Sequence, residues 1–74
     1  MMEESAVLAE LKDAIGTYVT LTPQTLLADI PEWDSVSAMT VVTMVAMQYH
    51  KPVALAEVKN ALSVADLLLL IDKV

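Results

Sequence analysis

Residues 33–52 read WDSVSAMTVVTMVAMQYHKP, and from Ser35 to Tyr49 there is not one charged side chain. A run of this length and apolar content, opened by an Asp-Ser pair, predicts a helix that begins at Asp34 or Ser35. It must end before Pro52, because the residue preceding a proline is pushed out of the helical region. His50 and Lys51 fall in its last turn, where positive charge suits the dipole. Met39, Val42, Ala46 and Tyr49 recur at spacings of three and four, with Val36 and Val45 beside them, so this stripe is expected to face the core. Ser37, Thr40, Val41, Met44 and Gln48 then fall on the outward side. The uncharged run would reach about 22 Å as a helix, short of the roughly 30 Å hydrocarbon layer, which argues against a membrane span.

Before this segment, residues 20–34 lose periodicity and carry Pro23, Pro31 and several threonines, which predicts a long connection pinned by Leu21, Leu26, Leu27 and Ile30. Connections this long are either functional or packed by their own side chains. Upstream, Val7, Leu8, Leu11, Ala14, Ile15 and Tyr18 recur at helical spacing from Glu3 to about Val19, with Glu3 and Glu4 in the first turn and Gly16 a cost near the end. Downstream, residues 52–62 support one short helix. Ser63 followed by Asp66 resembles a capping box for a last helix through Leu67 to Ile71. The expected fold is all-α, a small four-helix bundle of three main helices and one short one.

Composition agrees. A chain of 74 residues makes one domain, with 57% hydrophobic residues, no Phe and a single Gly. Leu, Val, Ile, Met and Ala suit helix packing, while a β-sandwich needs turn residues that are missing here. The absence of Cys excludes disulfides and thiolate metal sites, and the acidic amino terminus is unlike a secretory signal, so a cytoplasmic location is expected. A net charge of −6 disfavours nucleic acid and anionic membrane surfaces.

Little conventional chemistry is available. His50 is the only histidine and has no partners at ligand spacing, so neither metal binding nor a Ser-His nucleophile is expected, and the chain is read as non-catalytic. Asp29, Glu32 and Asp34 lack the spacing and central Gly of a calcium loop and read as a solvated acidic turn. Ser35 is the remaining candidate. At the start of a helix its oxygen lies near unpaired backbone N–H groups, where the dipole favours an attached phosphate ester. By its local pattern alone, Ser35 or Asp34 reads first as a simple helix cap.

The whole layout resembles the acyl carrier protein family. A first amphipathic helix, a long loop, Asp34-Ser35-Val36 opening a second helix, a proline turn, a short segment and a last helix cover nearly the entire chain. The family opens its second helix with Asp-Ser-Leu; here Val36 stands for Leu. Trp33 is similar to a frequent family variant, and Ser63, Val64, Asp66 and Leu67 resemble the Thr-Val-x-Asp-Leu pattern that opens its last helix. The resemblance implies that a phosphopantetheinyl transferase attaches 4′-phosphopantetheine from coenzyme A to Ser35. It further implies that Asp34 orients the serine, and that acyl-loading and acyl-processing enzymes use the arm to handle thioesters in fatty-acid, polyketide or related biosynthesis. A monomer is expected. The second and third helices would part to shelter an acyl chain, with Met39, Met44 and Met47 giving an adaptable surface.

One departure stands out. Typical members carry Asp and Glu along the second helix to meet basic partners, whereas residues 35–51 have none. A specialised carrier, meeting a dedicated partner through the neutral surface of Ser37, Thr40, Val41 and Met44, is the reading that follows. Two alternatives are a helical interaction adaptor without a prosthetic group and an aminoacyl or peptidyl carrier, although the Asp-Ser pair favours acyl cargo over peptidyl carriers, whose serine more often follows a Gly-rich turn.

Overall fold

A computed structural model describes residues 4–72. Glu3, placed by the sequence in the first helical turn, and the two methionines before it lie outside the described residues. Four helices follow in order: α1 (Glu4–Ile15), α2 (Ser35–Tyr49), α3 (Leu55–Lys59) and α4 (Val64–Asp72), with one 3-10 turn (Leu27–Asp29) in the long connection. Among the described residues there is no strand, only an isolated bridge between Leu26 and Ser63. The small helical bundle expected from the sequence is what forms.

Helix α1 buries Val7, Leu11 and Ile15, a stripe at four-residue spacing. It stops earlier than Val19, for a local reason. Gly16 adopts φ 76°, and the amides of Gly16 and Thr17 both donate to the Lys12 carbonyl, at 2.9 and 3.3 Å. This is a left-handed helix stop that glycine enters without steric penalty. Thr17 is buried beyond it, its Oγ1 accepting from the Val19 amide at 3.1 Å. Tyr18, assigned by its spacing to the core face, lies past the stop and is 94% exposed.

The connection to α2 is packed rather than loose. Leu21, Leu27 and Ile30 are buried as expected, while Leu26 is half exposed. The Leu27 amide donates to the Leu62 carbonyl, and the amides of Val64 and Ala65 donate to the carbonyls of Thr25 and Pro23. The loop therefore holds the first turn of α4, whose own cap is the expected one: Asp66 Oδ2 accepts from the amides of Leu62 and Ser63, and the Asp66 amide donates to Ser63 Oγ. Lys51 does not serve the end of its own helix. Its Nζ reaches the Ile71 carbonyl at 2.7 Å, a cation at the last turn of α4. Chain reversal after α2 falls to His50, in left-handed conformation at φ 53°.

In α2 the buried face is not the predicted one. Ser37, Ala38, Val41 and Val45 are buried, whereas Val36 and Met39 are 74% and 49% exposed and Ala46 is exposed. Val42 and Tyr49 are half-buried at the edge of the core. The helix is rotated from the expectation by one residue, about 100°. A helix without charges has no polar face to orient it, so packing against α1 and α3 decides. The smaller Ala38, Val41 and Val45 are the side chains turned inward, and they join Val58 of α3 and Val64, Leu67, Leu68 and Ile71 of α4. The Tyr49 hydroxyl donates to Glu10 Oε1, tying the end of α2 to α1.

Candidate site at the start of the second helix

Whether Ser35 or Asp34 caps α2 is resolved by backbone geometry. Asp34 is extended, at φ −153° and ψ −171°, and its carboxylate accepts from the Ser37 amide at 2.8 Å. In return Ser37 Oγ accepts from the Asp34 amide at 2.8 Å, completing a capping box with serine where Glu or Gln is usual. Ser37 Oγ has one proton to give, and the carbonyls of Asp34 and Glu32 and the carboxylate Oδ1 of Asp34 lie within reach at 3.0, 3.1 and 3.2 Å. This hydroxyl, buried at 5% exposure, stitches the acidic turn to the helix.

Ser35 is thereby relieved of the capping role. It is the first helical residue, it is exposed, and among the described residues its hydroxyl has no hydrogen-bond partner. The box satisfies the amides of Asp34 and Ser37, and the Asp34 carboxylate also draws on the Val36 amide, so that of Ser35 remains at the open helix end. The Asp34 carboxyl is held below its ordinary value, chiefly by the Ser37 backbone amide; desolvation opposes this, while the Ser37 hydroxyl and the Val36 amide add to it. Asp34 is thus a fixed anion turned back onto the helix start, adjacent to a free serine oxygen.

Of the five residues expected on the outward side, Gln48 is exposed as expected and two of the four assigned to partner contact are elsewhere. Ser37 belongs to the cap and Val41, at 1% exposure, to the core. Thr40 is exposed and Met44 half-buried. The outward face consists instead of Val36, Met39, Thr40, Thr43 and Met47, with Val36 and Met47 more than 70% exposed. The two threonines do little to make it polar. Thr40 Oγ1 donates to the Val36 carbonyl at 3.0 Å and Thr43 Oγ1 to the Met39 carbonyl at 3.1 Å, so both protons go to their own helix and only acceptor lone pairs are left outward. Spacing from Ser35, by four-residue steps through Met39 and Thr43 to Met47, would have found this face.

Asp29 and Glu32 are exposed in the turn before α2. Among the described residues no three acidic or histidine side chains are grouped to hold a metal ion, and no helix is long and apolar enough to cross a membrane. Comparison with family models, with curated proteins and with solved structures gives no match to this chain.

Proposed function

We propose that this protein is a non-catalytic carrier of acyl intermediates, with 4′-phosphopantetheine joined to Ser35 through a phosphodiester. The observation that carries the reading is the exposed, unengaged Ser35 hydroxyl on the first turn of α2, beside a carboxylate that has taken over the cap. Its wider support is the resemblance in layout to acyl carrier proteins. The residues fit the group. A phosphodiester on Ser35 places one negative charge at a helix N-terminus where the Ser35 amide is uncommitted, a location that favours anions by about 0.3–1 kcal/mol. Asp34 opposes that charge, but its oxygen is directed to the Ser37 amide. When attached, the arm supplies a thiol, absent from a chain without cysteine, on which cargo is held as a thioester.

Partner enzymes would meet the face that continues from Ser35. Val36, Met39 and Met47 give apolar contact, and Thr40 and Thr43 have no hydroxyl proton to offer outward, only acceptor lone pairs. Burial of such a surface is little affected by salt, unlike charge steering. A dedicated partner with a matching apolar patch suits it. The same face also favours a second reading, in which the chain is an adaptor that docks through α2 and Ser35 stays unmodified. Intact mass separates the two. Incubation with coenzyme A and a broad-specificity phosphopantetheinyl transferase should add one phosphopantetheine group to the wild type and none to Ser35→Ala; an unmodified wild type leaves the adaptor.

A further inference from the structure

A second surface lies apart from Ser35. Between α3 and α4 a groove of about 330 Å³ is lined by Glu57, Asn60, Ala61, Asp66, Leu69 and Leu70, none of them from α2 or the turn before it. Leu69 is 68% exposed and Leu70 half-buried, so apolar surface runs from the core out to solvent. Leu62, which follows Ala61 in the chain, is 74% exposed. We infer that this groove docks a cationic amphipathic segment of a partner protein, with an apolar side chain against Ala61, Leu69 and Leu70 and basic side chains at Glu57 and Asp66.

Charge and preorganisation select that occupant. The polar edge of the groove consists of two carboxylates and the neutral Asn60, with no basic residue in the lining. Both carboxylates are held by structural hydrogen bonds through one oxygen. Glu57 Oε1 accepts from the Ala54 amide at 3.1 Å, and Asp66 Oδ2 accepts from Leu62 and Ser63. Among the described residues neither has an ion-pair partner, and Glu57 Oε2 and Asp66 Oδ1 remain for an incoming Lys or Arg. Fixing them in advance lowers the side-chain entropy lost on pairing. A second copy is a poor occupant, because two such grooves face to face would bring four carboxylates together on chains of net charge −6. Anionic lipids and nucleic acids are repelled for the same reason. An apolar stripe flanked by basic residues, as on one face of an amphipathic helix, satisfies floor and edge together.

The test is titration of isotope-labelled full-length protein with a Leu/Lys peptide of about 14 residues, leucines at i, i+3, i+4 and i+7, followed by amide chemical shifts. A counterpart with Glu for every Lys is the control. The expected result is a set of shifts centred on Glu57, Ala61, Asp66 and Leu69, with no comparable response to the acidic peptide. The Glu57→Gln/Asp66→Asn double variant keeps both cap acceptors and should bind about fivefold to tenfold more weakly, the effect of losing two exposed pairs. Leu69→Ser, at an exposed position, should weaken binding without altering the fold. Shifts centred on Val36, Met39 and Met47, equal binding of the acidic peptide, absence of binding, or an unchanged affinity in the double variant would each overturn the assignment. Ser35→Ala should bind as the wild type does, so the outcome is independent of the carrier reading.

Discussion

Replacing Ser37 by Ala separates two roles that its place in the sequence leaves open, cap and partner contact. In the folded chain Ser37 Oγ accepts from the Asp34 amide at 2.8 Å and donates to the carbonyl of Asp34 or Glu32 at 3.0 or 3.1 Å. Alanine removes both bonds and leaves the Asp34 amide without its partner, while the reciprocal bond from the Ser37 amide to the Asp34 carboxylate, being backbone, survives. One net hydrogen bond is worth about 1 kcal/mol, and an unpaired, part-buried amide raises the loss to about 1–2 kcal/mol. For a domain of this size about 1 kcal/mol moves the Tm by roughly 4–8 °C, so a fall of about 5–15 °C is expected. Thermal and urea unfolding followed by circular dichroism should show a lower midpoint at unchanged m-value. Acid sensitivity should persist in the variant. The folded-state pKa of Asp34 is depressed, so its stabilising contribution is present above the unfolded carboxylate value and is lost as pH falls through the lower folded value, and the first cause of that depression, the Ser37 amide, remains. A Tm within about 2 °C of wild type, together with weakened partner binding, would refute the capping argument and return Ser37 to the surface.

Val41→Glu should unfold the protein or shift it to a molten state in circular dichroism, since a charge would replace a side chain that is 1% exposed. Met47→Glu, on a side chain 72% exposed, should change stability by no more than about 0.5 kcal/mol while weakening a partner that docks on α2. Tyr49 ionises near pH 12, raised by desolvation first and then by its hydrogen bond to Glu10 and that carboxylate's charge. The neutral phenol is the form stabilised by folding, so its contribution is intact below pH 10 and disappears as pH rises through about 12. Ultraviolet titration should lose that late-ionising tyrosine in Tyr49→Phe, with a stability cost of about 0.5 kcal/mol, small because solvent screens the half-exposed pair.

Wherever polar and apolar residues alternate with a clear period, the chain is readable in advance. The buried stripe of α1 is Val7, Leu11 and Ile15, and the Ser63–Asp66 cap opens α4 as its spacing implies. Gly16 is a different matter. A glycine near the end of a helical pattern reads either as a tolerated weakness or as a stop, and Tyr18 continued the apolar pattern beyond it. Its left-handed φ and the doubly used Lys12 carbonyl decide for the stop, which is why Tyr18 leaves the core. At the candidate site, the place of Ser35 at the start of α2 was legible, while its local pattern by itself read as a helix cap and the resemblance in layout singled it out. The division of labour around it was not, because Asp, Ser and Ser at positions 34, 35 and 37 are all competent caps.

Unaided, the sequence determined the number and order of the helices, the acidic turn before α2 and the serine that opens it, because proline, capping residues and helical spacing act within a few residues of one another. The face that α2 turns inward was decided only by tertiary structure. With no charge from Ser35 to Tyr49, two neighbouring stripes are nearly equal in hydrophobicity. Packing of Ala38, Val41 and Val45 against the other helices breaks the tie. That choice exposes Val36, Met39 and Met47 in line with Ser35, and it shapes the surface that continues from this serine along α2.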